Sequence, residues 1–105
     1  MDGVSASLSG VQAAAQGVAL AASNGANLNS SGYRARTQVQ QALPQGGVAE
    51  GAVQESQAPL EPGGSNVDLA TEAVSLDTQG VAYQANLKFL QVQNKLLGAA
   101  LDLKA

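Results

Sequence analysis

The side chains best suited to acid–base or metal chemistry here are the eight carboxylates, and their spacing gives them little of it to do. Asp68 and Glu72 stand four residues apart, which on a helix places both on one face. Such a pair can pass a proton or hold a hard cation. These two, however, open a helical stretch, where carboxylates complement the positive end of the backbone dipole. No cleft-forming pattern surrounds them, so they carry no acid–base role. Histidine and cysteine are absent. That excludes histidine-dependent bases and nucleophiles, the usual zinc sites and any disulfide framework. The five basic residues, Arg34, Arg36, Lys88, Lys95 and Lys104, do not cluster, and the net charge is −3. A nucleic-acid binder presents a basic stripe and a membrane-surface binder a polybasic run. The expectation is therefore a non-enzyme with no catalytic residue, cofactor or metal, and no direct contact with nucleic acid or bilayer.

The elements around these residues are helical. At 105 residues the chain is one domain at most. Its hydrophobic share is 45%, but much of that is alanine and aromatics are 3%, so apolar burial per residue is low. A chain of this size and composition depends on neighbours for stability. No stretch approaches the ~20 apolar residues that span a bilayer. No Lys or Arg precedes Arg34, so the positive region of a secretory signal peptide is missing.

Residues 1–33 read as a helix and a turn. Val4, Leu8, Val11, Ala15, Val18 and Ala22 step alternately by four and three, the spacing of a coiled-coil seam. Asp2 is placed to cap the helix. Gly10 and Gly17 interrupt it at about 1 kcal/mol each relative to alanine. They serve either as small core positions in an antiparallel pair or as close-approach points for another subunit. The run Ser23–Tyr33 ends the helix near Gly25 or Asn27.

Residues 34–64 form the connector. Arg36–Val39 and Val48–Val53 have the composition of two short strands across the Pro44–Gly47 turn; an irregular connector is the alternative. Residues 65–105 read as a long helix over Val67–Leu103. Ser65 and Asp68 resemble a capping box, with Asn66 as the other choice of cap. No proline follows. Leu69, Ala73, Leu76, Gly80, Tyr83, Leu87, Leu90, Asn94, Leu97 and Leu101 again step by fours and threes. Such a helix is roughly 55 Å long, against about 30 Å for the first. Part of its stripe must therefore stay uncovered in a single chain, which marks protein contacts. The fold class is mostly α: terminal helices paired as a coiled-coil-like hairpin, joined by a short connector with the makings of a β-hairpin.

Two segments resemble the bacterial flagellar axial proteins, the rod and hook subunits. The first runs Ala22–Arg34, with Asn24, Asn27, Asn29, Gly32 and Tyr33 in an asparagine-rich stretch that closes on Gly-Tyr and a basic residue. The second opens at Ser65, Asn66, Val67 and Asp68. It continues through Ala82, Tyr83, Gln84, Ala85, Asn86 and Lys88 to Leu97, Leu101 and Leu103. The chain departs from that pattern at Gly25, Ser30, Asp77, Gly80–Val81 and Asn94–Lys95.

The resemblance implies paired terminal helices that polymerise helically into a shaft crossing the periplasm. It implies export through the flagellar type III apparatus without a cleaved signal. Expected partners are copies of the chain and other axial proteins, at the basal body. The short connector implies a proximal-rod-like member, because distal rod and hook subunits carry large domains there. The expected interface residues are Val4, Leu8, Val11, Val18, Leu69, Leu76, Tyr83, Leu87, Leu90, Leu97 and Leu101. A helical adaptor that docks a partner on its long C-terminal helix is the competing expectation.

Overall fold

The computed structural model describes residues 3–104, and Asp2 lies outside them. Four elements follow in order: helix α1 (Gly3–Ala26), strands β1 (Arg36–Ala42) and β2 (Val48–Glu55), and helix α2 (Leu69–Lys104). The two helices pack against one another, and the two strands form a separate antiparallel hairpin against α1. Both strands run further than the sequence signals alone suggest.

Sequence explains most element ends. α1 stops where Asn27, Asn29, Ser30 and Gly32 replace alanine, and Gly32 takes a φ of +77° that other residues rarely adopt. The β1–β2 turn uses Gly46 and Gly47, at φ +97° and +91°. One register shift falls between Gln38 and Gln40. There Gly51 lies against Val39, and an added Cβ would stand 3.0 Å from the Val39 carbonyl oxygen. The extra residue is a bulge, which bends and twists the ribbon.

Asp68 caps α2. Its Oδ1 accepts from the amides of Ala70, at 3.1 Å, and Thr71, at 3.4 Å. This corrects the capping box read from the sequence. Ser65 instead donates to the Leu28 carbonyl at 2.6 Å, and Asn66 binds the base of the hairpin. Ser65 ties the start of α2 to the turn after α1 and Asn66 ties it to the connector, leaving the cap to the residue next to the helix.

α2 has 36 residues and α1 has 24. At 1.5 Å per residue that is about 54 Å against about 36 Å. Residues 94–104 of α2 extend beyond α1, whose first described residue, Gly3, faces Gln93. The chain measures 67 × 22 × 15 Å, with a radius of gyration of 17.9 Å. A compact domain of this length has about 13 Å.

The interior is small. Among the described residues the buried apolar side chains are Ala13, Ala14, Leu20, Ala21 and Ala35. The accessible surface is 6883 Å², where a compact monomer of this mass exposes about 5,400 Å². That excess is close to the area a stable protein interface removes from water.

Candidate assembly surface

The two helices meet on faces that mix small apolar residues with glycines and polar side chains. On α1 the inward residues are Ser7, Gly10, Ala13, Ala14, Leu20, Ala21 and Asn24. Opposite them α2 sets polar side chains. Gln93 lies over Gly3, Asn86 over Gly10 and Gln79 over Gly17. A Cβ added to those glycines would stand 2.5 Å from Gln93 Nε2, 2.6 Å from Asn86 Oδ1 and 2.6 Å from Gln79 Cδ. The missing side chains let the three amides, each half-buried, lie directly against α1. Ser7 Oγ adds a hydrogen bond to Gln93 Oε1 at 3.0 Å, and Asn86 Nδ2 donates to the Ala82 carbonyl of its own helix at 2.9 Å.

The last rung is Asn24 against Glu72, 2.9 Å from Nδ2 to Oε1. Asn24 is 1% exposed and is the largest fully buried side chain among the described residues. Its Oδ1 accepts from the Tyr33 hydroxyl and from the Arg36 amide, both at 2.9 Å. Its Nδ2 donates a second time, to the Arg36 carbonyl at 2.8 Å. Both donors and both lone pairs are therefore used, which makes this burial of an amide affordable. One side chain holds α1, the turn, β1 and α2 together.

Asn66 does the same work for the connector. Its Oδ1 accepts from the Ala35 amide at 2.7 Å, and its Nδ2 donates to the carbonyls of Ser56 and Ala58. Arg34 Nη1 reaches the same two carbonyls, and Arg36 Nη2 donates to Ser23 Oγ at 3.2 Å. Beside the node, a cavity of about 180 Å³ is lined by Gly17, Arg36, Gln38, Glu72 and Gln79 among others. Arg36 Nε and Gln38 Oε1 are buried there without a partner within the chain.

The apolar seams read from the sequence are only partly covered where the helices meet. Val4, Leu8, Leu69, Leu76, Leu97 and Leu101 are exposed, Leu101 to 60%, and Tyr83 lies at the margin. Val11, Val18, Leu87 and Leu90 are half-buried. The paired seam is displaced from the expected one by one residue on each helix. Leu20 is buried, but Val4, Leu8, Leu69, Leu76, Leu97 and Leu101, of the kinds that normally occupy the inside, stay exposed.

Ala15, Val18, Gly80, Tyr83 and Gln84 line an outer groove of about 320 Å³ between the helices. Asn94, expected on the seam, lies exposed beyond α1, while Asn86 is the asparagine that faces it.

The motif residues fall into two groups. Asn24, Asn27, Gly32, Tyr33, Asn66 and Asp68 shape the joint between helices and connector. Asn27 Nδ2 donates to the Ser23 carbonyl, and its Oδ1 accepts from Ser30 Oγ. Asn29 is exposed at the tip of that turn. Tyr83, Gln84 and Asn86 lie along α2, the first two outward and the third inward. Sequence reasoning missed Gln79, Gln93 and Ser7. Their signal was the seven-residue recurrence of Gly3, Gly10, Gly17 and Asn24, matched by Glu72, Gln79, Asn86 and Gln93.

No helix among the described residues is long and apolar enough to cross a membrane. Residues 63–103 match the family model described as flagellar basal body rod FlgEFG protein C-terminal. The match spans all of α2 except its last residue, together with the Ser65–Asp68 joint. No curated protein matches the chain significantly.

Proposed function

With residues 63–103 belonging to the flagellar rod/axial protein family, we propose that the chain is a structural subunit of the flagellar basal body rod, polymerising helically through its paired terminal helices. The observation that carries this reading is the inverted hairpin: amides, glycines and alanines line much of the contact between the helices, while most of the large aliphatic side chains lie exposed. A monomeric protein has no use for a stripe holding Leu8, Leu69, Leu76, Leu97 and Leu101 in water. A helical polymer covers such a stripe on every copy but those at its ends.

The uncovered length of α2 supports the same reading. Residues 94–104, about 16 Å of helix, carry Leu96, Leu97, Leu101 and Leu103, all exposed. They give each copy a projecting apolar end, the geometry of a contact that passes from one subunit to the next. The partners proposed are copies of this chain and other flagellar axial proteins. Export by the type III apparatus and a proximal position in the rod belong to the same proposal.

Sedimentation of truncated chains tests it. Removal of residues 1–24 or of residues 92–105 takes one helix or one apolar end from every contact, while the connector stays. Both truncations are expected to stay in the supernatant under conditions where the full chain pellets. Pelleting of the N-terminal truncation at the level of the full chain would overturn the paired-helix subunit and favour an adaptor that docks through α2.

A further inference from the structure

Each helix carries two competing seams one residue apart. On α1 the small seam is Gly3, Ser7, Gly10, Ala14, Gly17, Ala21 and Asn24, and the apolar one is Val4, Leu8, Val11, Ala15, Val18 and Ala22. On α2 the polar seam holds Glu72, Ser75, Gln79, Asn86 and Gln93, and the apolar one Leu69, Leu76, Tyr83, Leu90 and Leu97, of which Leu90 alone is half-buried and the rest are exposed. Turning a helix by one residue, about 100°, exchanges them. Apolar burial alone favours the exchanged arrangement, because it takes leucine and valine out of water. The chain nevertheless holds the polar seam inside.

We propose that the Gly3–Gln93, Gly10–Asn86, Gly17–Gln79 and Asn24–Glu72 rungs form a rotational lock that keeps the apolar seams turned outward, available to a neighbouring copy. The proposal rests on the subunit reading above and adds the residues that set which face is displayed. The three glycine rungs recur every seven residues on both helices, so they fix the rotation of each helix without fixing its sliding position. The fourth rung ends the repeat. Asn24 and Glu72 are unlike the others and hydrogen-bond directly, and Asn24 is tied to Arg36 and Tyr33 besides. That rung selects one register.

The glycines are the replaceable part. At Gly10 a methyl would meet three atoms of the short Asn86 amide within 2.9 Å, so the amide or the helix must move. At Gly17 it would meet Gln79 within 2.8 Å at three atoms. Gly25 is the matched control, since a Cβ there meets nothing within 4 Å. Alanine favours helix at all three positions, so helix propensity alone predicts the same direction for all of them.

The chain has no cysteine, so one introduced thiol reports the phase of its helix. Ser7 is buried and Leu8 is 44% exposed. In the full-length chain below assembling concentration, the Ser7→Cys thiol is expected to react with a maleimide about tenfold more slowly than the Leu8→Cys thiol. In a Gly10→Ala/Gly17→Ala background that order is expected to reverse, with loss of pelleting on concentration. A Gly25→Ala background is expected to keep both the order and the pelleting.

Equal reactivity of the two thiols in the otherwise native chain would overturn the lock, as would a protected Ser7→Cys thiol in the double-alanine background. Failure of the subunit reading looks different. The thiols would report the inverted phase, but the native chain would not pellet at any concentration.

Discussion

The Asn24 amide and the Glu72 carboxylate lie 48 positions apart in sequence and 2.9 Å apart in space. Around that bond the ends of both helices, the turn at Tyr33 and the first residue of β1 are fixed together. The larger part of each helix is held by contacts that are small, polar or both. The hairpin is therefore well specified at one end and weakly supported by apolar burial along its length.

Asn24→Ala would leave both backbone groups of Arg36 and one Glu72 oxygen short of a partner, and the Tyr33 hydroxyl with only a long contact to Ser23 Oγ. Orphaned buried groups cost about 1–3 kcal/mol each, less where water can reach them. A loss of about 2–4 kcal/mol is expected, a large part of the stability of a domain this small. A thermal melt followed by circular dichroism should shift strongly downward. An unchanged melt would mean that the node does not hold the elements together.

Asp68→Ala and Ser65→Ala separate two roles that the sequence pattern merged. Loss of the Asp68 cap should cost about 1 kcal/mol and fray the first turn of α2. Amide exchange should accelerate at Ala70 and Thr71. Ser65→Ala removes the bond to the Leu28 carbonyl and the one accepted from the Val67 amide, and should accelerate exchange at Val67 while Ala70 and Thr71 stay protected. Identical exchange patterns in the two variants would contradict the assignment of the cap to Asp68.

The length and nature of the helices were legible because their signals are local and long. α2 was expected over Val67–Leu103 and spans Leu69–Lys104; sustained periodicity without proline leaves a chain few alternatives. Glycines at the Pro44–Gly47 turn, with Val39, Val48 and Val53 around them, indicated the hairpin. What failed was the facing of the helices. A sequence reading puts leucine and valine inside because burial normally decides. Here three glycines opposite three amides allow an approach that Leu8 or Val11 would block, and the apolar seam is turned out. Gly10 and Gly17 were open in the sequence to two readings, small positions in an antiparallel pair or close-approach points for another subunit, and the opposing Asn86 and Gln79 place them in the pair. The cap failed for a related reason: a capping-box pattern is local, whereas Ser65 bonds to Leu28 and Asn66 to Ala35, far along the chain.

Leu97→Asp separates display from folding. Leu97 is 56% exposed and stands beyond the end of α1. A surface substitution of this kind shifts stability by less than about 0.5 kcal/mol. The soluble chain should keep its helicity, while assembly should fail because an unpaired charge would be buried at the contact. Normal pelleting of this variant would show that the projecting end of α2 makes no contact between copies.

Residues 94–104 have no partner on α1 among the described residues, and an unsupported helix end of that length frays in water. Their amides should exchange quickly in the dilute chain and slowly once it assembles. Slow exchange in both states would contradict ordering on assembly, and fast exchange in both would remove the projecting end from the contact.

The central claim is that an inverted hairpin exists to be covered by further copies. Electron microscopy of the full chain at rising concentration tests it most directly. Elongated helical assemblies of constant width, growing in length but not in diameter as concentration increases, are the expected result. A monodisperse dimer that persists at every concentration would contradict the claim, because two copies would then suffice to bury the apolar seams.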